Sequence, residues 1–370
     1  MAFRILLMAR ELNLGGSERQ MTATAKFLDR SQFSPRVGCF RPAGLRGEEL
    51  RAAGVPVVHF PVNSYKSPAA ITEARALIRY IRDEKIDLVH SFDYPMNVFA
   101  VPLTRWFTPA IAVGSQRFHR EITPRGYLNL LQVADRVAHA VVVNCEFLRR
   151  HMVEEQHVPS GKVQVCHNGI DLRVFQASQA SNASRPAQLQ NAALTIGVVC
   201  VLRPEKGLPV LLEAFAQVRG LLPGIKLAIV GSGLELEALT AQARALGILE
   251  DCVFAPATDE VARWLRAFDI FVLPSLSEAL SNSLMEAMAC GCAVVASNVG
   301  GNPELVQPGR TGLLFERGNA MDLADKLKLL VGNPMLRQEL AAAGQKLIHE
   351  NYSAESAAAR MGEIYKRLLS

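Results

Sequence analysis

At 370 residues, 49% hydrophobic and 20% charged with a formal net charge of +5, the chain has the balance of a soluble globular enzyme and the length for two ordinary domains. No apolar run reaches the roughly 18 to 20 residues of a membrane span, and the apolar start is too short for a signal peptide, so a cytoplasmic location is expected. Seven cysteines without framework spacing point to reduced thiols; Cys290 and Cys292, the one close pair, read as packing residues because no histidine or second cysteine pair lies near them.

The chain opens with the apolar run FRILLMA (3–9), then Leu14-Gly15-Gly16-Ser17-Glu18 and the helical pattern RQMTATAKFLDR. This is strand, glycine loop, helix, and Gly15 and Gly16 let backbone approach a ligand and aim N–H groups at an anion. PRVGCF (35–40) and VPVVHF (55–60) are strands around the helical GEELRAAG. Residues 70–86 are an amphipathic helix, and DLVHSF is the next strand, delivering Asp93 at its end. After a further helix, residues 110–121 give a strand whose carboxyl end carries Arg117, His119 and Arg120. Strand then helix follows over 140–155, and KVQVCHNGID ends the first domain. The polar, periodless stretch 176–191 places the linker.

The second half repeats the plan. LTIGVVCV (194–201) leads into LRPEKG and the helix GLPVLLEAFAQVRG, and KLAIVGSG leads into a helix through residue 247. CVFAPAT, FDIFVLPS and AVVASN continue the strands, TGLLF adds a short one, and three helices complete the chain. Two similarly built α/β units result.

Residues 274–292, PSLSEALSNSLMEAMACGC, hold the strongest chemical signal. A buried strand precedes them, Ser281, Asn282 and Ser283 are natural capping residues, and a helix runs to Gly291. Glu278 then lies in the loop at the strand's carboxyl end and Glu286 about one turn into the helix. Between them, N–H groups without intrahelical partners and the positive end of the helix dipole suit a phosphate. The two carboxylates can accept bonds from sugar hydroxyls, or be a loop charge and a solvated helix residue. Arg203-Pro204-Glu205-Lys206-Gly207, also between a strand and a helix, offers cations for a departing diphosphate.

Competing chemistries lack their motifs. Gly231-Ser232-Gly233 begins like a dinucleotide fingerprint, but Leu236 occupies the third glycine's place and Glu250-Asp251 precede a strand instead of ending one. There is no phosphate-binding Gly-x-x-x-x-Gly-Lys loop, no Asp-x-Asp pair, no histidine-glutamate zinc helix and no Gly-x-Ser-x-Gly elbow, so neither a metal site nor a cofactor is expected.

These residues together resemble the retaining glycosyltransferases of the GT-B fold, family 4, or glycosyl transferases group 1. The resemblance rests on Gly15-Gly16, HNGID (167–171), RPEKG (203–207), VGSG (230–233), SEALSNSLMEAMACG (277–291), VGGNPELV and TGLLF, and it covers nearly the whole chain. It implies two Rossmann-like domains facing across a cleft: an acceptor domain at 1–178, a linker at 179–192, a nucleotide-sugar domain at 193–354, and a last helix, 355–370, returning to the first domain. By the same resemblance Glu286 binds the ribose and Glu278 the transferred sugar. Lys206, with Arg203, holds the diphosphate, and backbone groups of Gly15, Gly16, Gly231 and Leu280 to Ser283 complete the anion site. The acceptor hydroxyl would attack from the leaving group's own face, with configuration retained. The family's arginine five residues before the lysine is here Val201, Ala279 stands where a glycine commonly follows the first glutamate, and Arg117 stands where many members place a histidine, with His119 two positions on.

The expected partners are a nucleoside diphosphate sugar (UDP or GDP) and a sugar, lipid-linked or polysaccharide acceptor, with no nucleic acid. A sugar-nucleotide epimerase of the same fold and a non-catalytic nucleotide-sugar binder are the alternatives. The first half carries the chain's basic excess, and Trp106-Phe107 fits either peripheral contact with an anionic membrane at the inner face of the cell membrane or the packing of a helix end.

Overall fold

The computed structural model describes residues 2–13, 15–65, 67–118, 120, 123, 125–175 and 185–370. Two compact units emerge, one of residues 1–169 with 354–370 and one of residues 170–353.

The first unit holds β1 (Phe3–Glu11), α1 (Gly16–Phe27), β2 (Phe33–Arg41), α2 (Leu45–Ala52), β3 (Val57–His59), α3 (Pro68–Asp83), β4 (Leu88–Ser91) and α4 (Tyr94–Phe107). It continues through β5 (Ile111–Gln116), α5 (Arg125–Val137), β6 (Ala140–Val143), α6 (Glu146–Arg150) and β7 (Val163–Val165). The strands form a parallel sheet in the order β3-β2-β1-β4-β5-β6-β7. Parallel strands need crossovers, and these helices cover both faces, so strand side chains are apolar on both sides. In β1, Ile5, Leu7 and Ala9 enter one core and Leu6 and Met8 the other, the period of two expected of a pleated strand.

The second unit holds β8 (Leu194–Val199), α7 (Leu208–Val218), β9 (Ile225–Val230), α8 (Leu236–Ala245), β10 (Cys252–Ala255), α9 (Val261–Leu265), β11 (Ile270–Leu273) and α10 (Asn282–Ala289). Then come β12 (Ala293–Ser297), α11 (Asn302–Leu305), β13 (Leu313–Phe315), α12 (Ala320–Gly332) and α13 (Pro334–Asn351). Its parallel sheet has the order β10-β9-β8-β11-β12-β13. Ile196, Val198, Leu227, Val272 and Val295 pack beneath Leu211, Phe215 and Leu327 in its core.

The last helix, α14 (Ala354–Leu369), belongs to the first unit. Its fully buried Tyr365 meets the Phe33 ring edge-on at 6.0 Å and places its hydroxyl 2.6 Å from His90 Nδ1. The first unit ends at Gly169, not at 178, because Ile170 pairs with Ser353 and donates its N–H to Tyr352 O at 3.0 Å. On the first-unit side Gln20 of α1 grips Gly169 twice, donating to its carbonyl and accepting from its N–H, both at 2.9 Å. Of the expected linker, residues 179–184 lie outside the described residues. The remainder packs: Arg185 donates to Ala267 O at 2.9 Å, and Leu189 is buried.

Candidate active site

In the second sheet the strand order reverses between β8 and β11, and the crevice at such a switch point is where open α/β sheets take ligands. The loops leaving these two strands carry RPEKG and PSLSEALS. They are joined by a bond from Leu276 N–H to Glu205 O at 2.8 Å. Gly207 makes that approach feasible: its φ is +63°, and a Cβ there would lie 2.2 Å from Pro274 O.

Sequence-distant residues meet here. Lys206 Nζ donates to Glu278 Oε1 at 2.6 Å, and the hydroxyl of buried Ser275 donates to the same oxygen at 2.8 Å. Burial alone would lower the Lys206 pKa, but the adjacent Glu278 carboxylate outweighs it and holds the ammonium above its ordinary value, so the cation persists at neutral pH. Beyond Glu278, buried Ala279 and Leu280 lead to Ser281, the cap of α10, whose hydroxyl accepts from Leu284 N–H at 3.4 Å. Asn282 and Ser283, half-buried, form the helix's first turn, and Glu286 is buried one turn in, as the spacing predicts.

The other expected residues divide. Gly231 sits at φ +154°, and a Cβ would lie 1.8 Å from Cys200 O. Its N–H already donates to Ala255 O at 2.9 Å, so it serves by close packing of the loops after β8 and β9 and not by donating to a ligand. Arg203 projects into solvent, its side chain 63% exposed and 3.8 Å from Glu205, and Val201 beside it is also exposed. Cys290 and Cys292 are buried, with both thiols pushed up by burial, in keeping with packing roles.

Ser275, Ser297, Gly300 and Gly301 escaped sequence reasoning. Gly300 has φ +55° and would drive a Cβ to 1.9 Å from Glu278 O, while Gly301 N–H donates to Ala279 O at 2.8 Å. The turn after β12 is therefore the floor under the glutamate loop. The signal was the Gly-Gly of VGGNPELV, whose first glycine is required by that close backbone approach.

The first unit has its own switch point, between β1 and β4. Gly15 caps α1 and Gly16 opens it; the Glu18 carboxylate folds back so closely that a Cβ on Gly15 would lie 2.0 Å from Glu18 Oε2. Burial foremost, with help from Asp93 and Glu11, raises the Glu18 pKa to about 7 against the pull of Arg10. Asp93 ties the two strand ends together, accepting from Arg10 N–H at 2.5 Å and from Met96 N–H at 2.9 Å. Arg117 does not lie open at its strand end. It stacks over Phe92, 4.8 Å from the ring centroid, and donates to Asn168 Oδ1 at 2.8 Å, so its cation braces the HNGID segment. His119 lies outside the described residues. Arg120 is buried in an ion pair with Asp135.

Comparison with known proteins follows these two units. The family model for glycosyl transferases group 1 matches residues 182–347, and that for glycosyltransferase family 4 matches residues 14–174. A D-inositol 3-phosphate glycosyltransferase of Nocardioides sp. is 29% identical over 309 residues, 76% of this chain and 67% of that protein. Its counterpart in Mycolicibacterium gilvum is 34% identical over 226 residues, 58% of this chain, and the match spans half (50%) of that relative's length. Among solved structures, HepE (Alr3699) of Anabaena in complex with UDP and glucose has a TM-score of 0.86 at 21% identity, covering 98% of this chain and 99% of that one.

Proposed function

Because the chain belongs to the family 4, or group 1, glycosyltransferases and has their GT-B fold of two Rossmann-like units, we propose that it transfers a hexose from UDP-sugar, with retention and without a metal, to a glycan or lipid-linked acceptor. The observation that carries this is the Lys206–Glu278 contact at the β8/β11 switch point, directly before the capped start of α10. One loop pair there supplies a persistent cation, a carboxylate, and a helix N-terminus, the groups that a charged diphosphate joined to a hydroxyl-rich sugar requires.

In this reading Lys206 and the first N–H groups of α10 hold the diphosphate and stabilise the charge that grows as it leaves. Glu278 accepts from hydroxyls of the transferred sugar, and Glu286 from the ribose. Arg203, on the same loop as Lys206 and reaching solvent, is the second cation and takes over from the arginine that Val201 replaces. The leaving diphosphate accepts the acceptor hydroxyl's proton on the face from which that hydroxyl attacks, so no protein nucleophile is needed. In the first unit, the backbone N–H groups of Gly15 and Gly16, at the start of α1, are kept for an anion as the resemblance implies, with the acceptor held by the same unit.

Uracil is preferred as the donor's base because the solved neighbour cited above holds UDP and glucose. Among the described residues no helix is long and apolar enough to cross a membrane. Trp106 and Phe107 are 58% and 50% exposed at the far end of α4, a 14-residue helix and thus about 20 Å from the strand ends where that helix begins. A membrane reached through this pair would anchor the protein without presenting a lipid directly to Gly15. Flotation with anionic vesicles, parent against Trp106→Ala, tests that clause, and equal recovery of both proteins removes it.

Incubation with UDP-, GDP- and ADP-sugars separates the competing readings. Transfer or slow hydrolysis frees nucleoside diphosphate, an epimerase alters the sugar and leaves it attached, and a binder does neither.

A further inference from the structure

We propose that Ser275 is the positioning residue for Glu278, holding the sugar-binding carboxylate in place when the donor draws Lys206 away from it. This rests on the reading of Glu278 as the sugar's acceptor. In the structure Glu278 Oε1 takes one bond from Lys206 Nζ at 2.6 Å and one from Ser275 Oγ at 2.8 Å. The two donors differ in kind. Lys206 ends a flexible side chain whose ammonium is also the cation nearest the diphosphate's place, so an arriving dianion competes for it. Ser275 is fully buried, and among the described residues its hydroxyl bonds to Glu278.

Its backbone is fixed from below. Ser297 Oγ donates to Ser275 O at 2.6 Å, and Asn302 Nδ2 donates to Ser297 O at 3.0 Å, all three residues being fully buried. The chain of bonds therefore runs from the start of α11 through the end of β12 to the carboxylate. The adjoining Gly300 backbone closes against Glu278 O. A buried hydroxyl oriented this way fixes a functional carboxylate better than a mobile ammonium does, because no side-chain freedom is lost when the ligand binds.

The test uses Ser275→Ala, Glu278→Gln and the double variant, with thermal midpoints recorded for each. UDP release is followed from UDP-glucose, UDP-galactose and UDP-N-acetylglucosamine, using the donor that the parent turns over fastest, and UDP affinity is measured separately. Ser275→Ala should lower kcat/KM about 10- to 100-fold, the range for one lost bond to a charged group, while UDP affinity stays within about twofold. In the Glu278→Gln background the same substitution should change kcat/KM less than about threefold. An equal loss in both backgrounds overturns the proposal, because Ser275 would then act independently of Glu278. Parental kcat/KM in Glu278→Gln alone overturns the underlying reading, and the proposal with it. Ser297→Ala, which spares the hydroxyl but frees the backbone beneath it, should show a smaller loss of the same pattern; a loss with no dependence on Glu278 counts against the relay.

Discussion

The Lys206–Glu278 contact makes a prediction of unusual sign: Glu278→Gln should tighten UDP binding and weaken UDP-sugar binding. At 2.6 Å the gross attraction between the two charges is about 6 kcal/mol at an effective dielectric near 20. Most of it is offset by desolvation, and with side-chain exposures of 23% and 11% the pair's net worth is about 1 kcal/mol. A diphosphate that recruits Lys206 must give up that amount and also approach the Glu278 charge. Neutralising Glu278 removes both costs, so the Kd for UDP should fall about fivefold at low salt, and less at high salt. UDP-glucose should move the other way, because the glutamine accepts sugar hydroxyls less strongly than a carboxylate does. Isothermal titration of parent and variant with both ligands decides it. Unchanged or weaker UDP binding in Glu278→Gln would refute the competition for Lys206.

Three further outcomes follow from the packing and from Glu18. Gly231→Ala should destabilise the protein by well over the roughly 1–2 kcal/mol of left-handed strain alone, since its Cβ meets Cys200 O, whereas Gly54→Ala, at φ +65° in open space, should cost only that strain; equal losses in denaturant melts would be wrong for this account. Tyr365→Phe leaves the neutral His90 ring, kept well below its usual pKa by burial and Arg117, without its 2.6 Å partner, and should cost about 1–3 kcal/mol; a loss under about 0.3 kcal/mol would contradict it. Glu18 has a folded pKa of about 7 against an ordinary value of 4.5, so the folded state binds the extra proton between those values and stability falls as pH rises through that window. Glu18→Gln should therefore gain about 1–3 kcal/mol on the parent at pH 8 and little at pH 4.5, and a pH-independent difference would exclude the mechanism.

Much of this was legible in the sequence because both sheets are parallel and buried on both faces. FRILLMA and FDIFVL had to be strands between helices, and the Ser281 cap with Gly291 fixed the limits of α10. The short helices α9 and α11 were not legible, since five and four residues carry too little periodicity to separate them from loop. Nor was the fate of residues just past a strand end. Arg117 could turn to the crevice or inward, and only the Phe92 ring and Asn168 decide it. The same holds for Lys206 and Glu278, 72 residues apart, whose pairing depends on Gly207 and Gly300 letting three loops close on one another. Composition places the linker at 176–191 and the resemblance ends the first domain at 178, but the pairing of Ile170 with Ser353 ends the unit at Gly169, and such a tie between distant segments leaves no compositional trace.

The central claim, that the crevice around Lys206 and Glu278 activates a nucleoside diphosphate sugar for transfer, is tested most directly by following free UDP and the anomeric configuration of the product when the protein is supplied with UDP-sugars in the presence of a metal chelator. Retained configuration with UDP release that survives chelation, and that Lys206→Ala reduces by at least tenfold, is the predicted result. Inverted product, release that collapses on chelation, or full activity in Lys206→Ala would contradict it.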